Sequence, residues 1–140
     1  MMDLVNESKI GICLGTCVID EVGNEFKGES WEVGIYLAMA RQAHREGLPE
    51  IAIVLKEIAL EEANHAALFA ELSGRISTST KENIEKMLAG EISANKGKRE
   101  AAMKAKDAGL DHAHDILDET SRDEGRHARA LQGLLNRYFK

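Results

Sequence analysis

The sequence predicts an all-α fold, a four-helix bundle made of two copies of one helical hairpin. Three observations predict it. No stretch of the 140 residues alternates apolar and polar with period two, whereas long stretches place apolar side chains three and four apart. The motif Glu62-Ala63-Asn64-His65 returns as Glu124-Gly125-Arg126-His127, 62 residues later. The same offset carries Gly28-Glu29 onto Gly90-Glu91, Ala40 onto Ala102, Ala43 onto Ala105, Gly47-Leu48 onto Gly109-Leu110, Glu57 onto Glu119 and Leu72 onto Leu134, which is the signature of an internal repeat.

Each element follows from local chemistry. Residues 1–27 carry Gly11, Gly15 and Gly23 without a clear helical period, and are expected as an N-terminal arm to a bundle spanning 28–140. The first helix should run from about Gly28 to Glu46, stopped by Gly47 and Pro49, with the proline opening the second helix. That second helix reaches Leu72 with a stripe of Ile51, Val54, Ile58, Glu62, His65, Phe69 and Leu72. A glutamate and a histidine in such a row are expensive to bury unless something neutralises them. After a Ser/Thr/Gly loop over 73–79, Ser79 and Glu82 make a capping box for the third helix, which Gly109 ends. Asp111 is the expected cap of the fourth, whose stripe runs through Ile116, Leu117, Glu124, His127, Leu131 and Leu134.

Composition narrows the function. Eighteen Lys and Arg against twenty-four Asp and Glu give a net charge of −6, which disfavours non-specific nucleic-acid binding. No apolar run is long enough for a signal or membrane helix, so a cytoplasmic protein is expected. The two cysteines, Cys13 and Cys17, lie outside the repeat and are expected as reduced thiols.

Residues three apart share a helix face, so each Glu-x-x-His offers a carboxylate and an imidazole to one point. Glu29 precedes Glu62 by 33 residues and Glu91 precedes Glu124 by the same 33. Four helices would then bring inward Glu29, Glu62 with His65, Glu91, and Glu124 with His127. One glutamate from each of two helices and Glu-x-x-His from the other two is the ligand inventory of carboxylate-bridged di-iron and di-manganese bundles. Four carboxylates balance two divalent cations. Mixed carboxylate and imidazole donors suit iron, with manganese accepting the same set, and exclude a thiolate site.

Phe26-Lys27-Gly28-Glu29-Ser30, the two Glu-x-x-His motifs and Leu88-Ala89-Gly90-Glu91 resemble the di-iron domain of rubrerythrins, in the ferritin-like superfamily, over residues 26 to 139. Residues 32 to 43 further resemble the branch whose rubredoxin module precedes the bundle. The resemblance implies a non-haem di-iron peroxidase that reduces hydrogen peroxide to water, with Glu62 and Glu124 bridging two iron ions and Glu29 and Glu91 terminal. It also implies a tyrosine bonded to a terminal glutamate, at Tyr36.

Two departures matter. The extra glutamate usual on the third helix is Ala94 here, and its repeat position is Glu32, on the face of Glu29; Glu32 is expected as a ligand on oxidation and as a proton carrier, or as a solvated neighbour. Cys13-x-x-x-Cys17 is not the two Cys-x-x-Cys knuckles of a rubredoxin, so the electron donor is expected to be external, such as a separate rubredoxin. Lys96, Lys98, Arg99, Lys104 and Lys106 could steer an acidic donor or form a solvated face. Glu61 and Asp123 could orient the other motif's histidine or stand as exposed charges. The other functions open to such a site are a ferroxidase and an iron-binding or electron-transfer protein without turnover.

Loop length adds an expectation about assembly. If the second and third helices run parallel, the link between them must climb roughly 30 Å at about 1.5 Å per residue. Seven loop residues reach about 25 Å fully extended. A segment-swapped homodimer is expected, two helices of one chain pairing with two of another, with an up-down-up-down monomer as the alternative.

Overall fold

The computed structural model describes residues 8–140, so the first seven residues of the expected arm lie outside it. The described residues form four helices and no strand: α1 (Ile19–Arg45), α2 (Pro49–Leu72), α3 (Thr80–Asp107) and α4 (Asp111–Tyr138). They fall into two units, Met1–Thr78 and Ser79–Lys140. Each is one hairpin, α1 packed on α2 and α3 on α4. Among the described residues no helix is long and apolar enough to cross a membrane.

In the first unit α1 begins at Ile19, earlier than the expected Gly28. Glycines at 23 and 28 blur the helical period, but the segment before α1 is anchored independently of it. Gly11 N–H donates to Glu71 O at 2.7 Å and Cys13 N–H to Leu72 O at 3.1 Å, tying the lead-in to the end of α2. Thr16 Oγ1 donates to Cys13 O at 2.7 Å, and the Arg75 guanidinium lies 4.4 Å over the Phe26 ring. The backbones at Gly11 and Gly74 meet so closely that a Cβ on Gly74 would stand 3.2 Å from Gly11 Cα.

Small residues join the two helices of this hairpin. Ala40, Ala43 and Ala52 are buried with Leu55 packed on them, and Ala59 and Ala66 continue the row toward the middle of α2. The face of α2 buried within the hairpin is therefore this alanine row, while Ile51 and Val54 of the expected stripe remain about half exposed. At the turn, Gly47 takes φ +76°, Gly47 N–H donates to His44 O and Leu48 N–H to Ala43 O. This is a Schellman ending, and it needs a residue at positive φ.

The second unit repeats the design. Gly109 takes φ +71°, with Gly109 N–H donating to Lys106 O and Leu110 N–H to Ala105 O. Ser79 caps α3 as expected, accepting from Glu82 N–H at 3.3 Å. Asp111 is not the cap of α4: the Schellman turn leaves Leu110 at that position and makes Asp111 the first helical residue, where its charge still favours the helix N-terminus. The buried inter-helix residues are Ala102 and Ser121, the repeat partners of Ala40 and Ala59.

Candidate metal centre

Each hairpin gathers three donor side chains near its middle. In the first, His65 Nδ1 lies 2.9 Å from Glu62 Oε2 and 3.6 Å from Glu29 Oε2. In the second, His127 Nδ1 lies 3.0 Å from Glu124 Oε2 and 3.5 Å from Glu91 Oε2. One donor atom from each of the three residues lies within 4.8 Å of the others in both groups, a spacing that could hold a metal ion. The six residues expected from the sequence are thus brought together as two matched threes.

The helices explain the match. Glu62 and His65, like Glu124 and His127, are three apart on one face, and the facing helix contributes its glutamate across the hairpin. The four carboxylates are between 15% and 19% exposed, whereas the imidazoles are 49% and 45% exposed. Two carboxylates held this close and partly out of water favour a neutralising partner, whether a proton, an ammonium or a metal ion. In the first hairpin the Glu62 carboxylate beside it, together with burial, pushes the Glu29 carboxyl above its ordinary value, and the Glu32 charge adds to this. Glu62 is held below its ordinary value by Glu29 and His65, and His65 is raised by Glu62. Glu29 Oε2 is buried with no hydrogen-bond partner among the described residues. An orphaned carboxylate oxygen facing a second carboxylate and an imidazole nitrogen fits a divalent cation of the iron or manganese type.

The second hairpin meets the same crowding differently. Lys98 Nζ is in direct contact with Glu124 Oε1, and this ammonium, with Glu91 and His127 beside it, holds the Glu124 carboxyl down at about 2. Near it, Asn95 Nδ2 donates to Ser121 O at 2.7 Å and to its Oγ at 3.3 Å, while Ser121 Oγ donates back to Asn95 O at 2.8 Å. A Cβ on Gly125 would stand 3.3 Å from that amide, so glycine beside Glu124 makes room for the clamp. In the sequence Lys98 stands out only as one member of a basic run. The signal was there, since Lys98 follows Glu91 by seven residues on one face, but the partner 26 residues away on α4 becomes visible only once the helices are packed.

The remaining expected residues are less engaged. Glu32 is part-buried and close enough to act on Glu29 through its charge, but is not one of the three gathered donors. Tyr36, also part-buried, follows Glu29 along α1, and the structure gives it no hydrogen bond to that glutamate. Asp123 accepts from Arg126 Nη2 at 2.8 Å on its own helix, and Glu61 is exposed. In the basic run, Arg99 pairs with Asp118, which Arg122 also contacts.

Comparison with known proteins agrees with this geometry. Residues 22–135 match the family model described as Rubrerythrin. The chain is 63% identical over 139 residues to an uncharacterized protein of Methanocaldococcus jannaschii, covering 99% of each chain. It is 49% identical over 138 residues to Reverse rubrerythrin-1 of Clostridium acetobutylicum, covering 96% of this chain and 76% of that one. With all four helices within or overlapping the matched span and two carboxylate–histidine groups upon them, the chain belongs to the rubrerythrin family of iron-binding, ferritin-like all-α proteins.

Proposed function

We propose that the chain is a non-haem di-iron peroxidase, an oxidoreductase that reduces hydrogen peroxide to water in the cytoplasm as part of oxidative-stress defence. The observation that carries this reading is the pair of matched Glu, Glu, His groups, one per hairpin, with a buried carboxylate oxygen left without a partner. When bound, two iron ions supply one electron each, so that one H2O2, two electrons and two protons give two molecules of water. The electrons return from an external donor, such as a separate rubredoxin.

The chain's own residues divide the remaining work. Glu29 and Glu91 would hold the ions as terminal ligands, with Glu62 and Glu124 as the shared carboxylates that the family resemblance implies and His65 and His127 completing the donor set. Their four negative charges match two divalent cations and leave the pocket neutral. Glu32, beside Glu29, holds the proton destined for the departing oxygen and adds a carboxylate when the charge at the centre rises. Tyr36, two turns along the face of Glu29, orients a terminal glutamate in the loaded protein.

We propose further that the working unit is a segment-swapped homodimer. Residues 73–79 join α2 to α3, and seven residues reach about 25 Å. That is short of the roughly 30 Å needed to return to the same metal level with α2 and α3 parallel.

Stopped-flow mixing of the reduced, iron-loaded protein with peroxide and, separately, with oxygen tests the activity. Oxidation of the iron should be much faster with peroxide, with two ferrous ions consumed per peroxide. Rapid oxygen-driven iron mineralisation would make it a ferroxidase instead, and inertness to both would leave a metal-binding or electron-transfer protein.

A further inference from the structure

The two triads share donors but not surroundings. The repeat offset that carries Glu29 onto Glu91 carries Glu32 onto Ala94 and Tyr36 onto Lys98. Around the first triad stand three carboxylates, Glu29, Glu62 and Glu32. Around the second stand two carboxylates, Glu91 and Glu124, with an ammonium already in contact with one of them. A divalent ion approaching the first triad meets three negative charges, and one approaching the second meets a net one.

We infer that Lys98 is a resident cation of the second triad, holding Glu124 when no metal is bound and swinging aside to admit an ion. The α1–α2 position therefore fills first and more tightly, and the α3–α4 position second. This rests on the two-metal reading above and deepens it: Lys98 is a positioning residue that makes the two metal positions unequal.

The geometry supports each part. The Lys98 side chain is 37% exposed while Glu124 is 15% exposed, so the ammonium can leave along its flexible four-carbon stem into water while the carboxylate stays. The Asn95–Ser121 clamp bonds α3 to α4 independently of the lysine, and the hairpin keeps its register when Lys98 moves. An ammonium retained beside a dication would be repelled at short range. One and the same side chain thus stabilises the metal-free hairpin and opposes loading.

The test titrates the metal-free protein with cobalt(II), followed by calorimetry and by visible absorption. Wild type should bind two ions in unequal steps. Lys98→Met should tighten the second step by roughly tenfold to a hundredfold, the scale set by one unit charge a few ångströms from a dication screened as in bulk water, and change the first far less. Lys98→Arg, which keeps the charge, should keep the wild-type order. Thermal midpoints give an independent sign: Lys98→Met should melt lower than wild type without metal but not with cobalt bound, whereas a lysine with only a structural role would lower both. Two steps unaltered in Lys98→Met, or both midpoints lowered, overturn the inference and leave the two-metal site intact. Failure of wild type to take up cobalt overturns the inference and the site together.

Discussion

A carboxylate pair in a helical hairpin can be neutralised by a proton, an ammonium or a metal, and the two halves of this chain differ in what stands beside the pair. Glu29 and Glu62 push each other apart in proton affinity, one up and one down, while Glu124 remains ionised because Lys98 sits on it. In the metal-free protein the sign of the pH dependence follows. Glu124 is depressed from 4.5 to about 2, so its contribution to stability is complete above 4.5 and fades as pH falls toward 2. Glu32 is the residue whose role separates chemistry from ligation. As a proton carrier it should matter to turnover, and Glu32→Ala is expected to lower peroxide reduction by about a hundredfold, the lower end of what a positioned acid contributes. Metal analysis should still find both ions, because Glu32 is not among the three gathered donors. Turnover and occupancy both unchanged would make Glu32 a bystander.

At the scale of elements the repeat was legible because it is written in residues that geometry cannot replace. Gly47 and Gly109 both sit at positive φ in the same Schellman turn, and the six donor residues keep their spacing in both halves. Gly47→Ala and Gly109→Ala should each destabilise by about 1 kcal/mol, the usual penalty for forcing a Cβ into that region. Urea unfolding should find the two penalties alike, and clearly different values would show that the two turns carry unequal strain. Less was legible where the signal is small or distant. The alanine row of α2 carries little hydrophobic contrast, so the larger Ile51 and Val54 drew attention to the adjoining face. The start of α1 was hidden because Gly23 and Gly28 blur its period, and the anchors of the lead-in, Gly11 and Cys13, bond to residues about sixty positions away. The Lys98–Glu124 pair and the Asn95–Ser121 clamp were hidden for the same reason, the partners being across the hairpin.

At the scale of the whole molecule, each hairpin carries one group of three donors that could hold a metal ion, and among the described residues no large side chain is completely buried. On the reading proposed above each triad is half of one two-metal centre, and a second hairpin is the partner that would complete it. Whether that partner belongs to the same chain is a question of reach, and residues 73–79 decide it. If the swap arises because seven residues fall short, then lengthening the loop removes its cause without touching any ligand. Wild type should therefore have the solution mass of two chains, while inserting about eight Gly/Ser residues after Ser77 should shift it toward one chain, since about 15 residues can span roughly 50 Å. Both forms should bind the same number of metal ions per chain, because the swap changes which chain supplies a triad and not how many triads exist. Light scattering with metal analysis on the same samples checks this. A wild-type protein that is monomeric with two ions bound would show that the short loop does reach, and would sink the swap while leaving the centre in place.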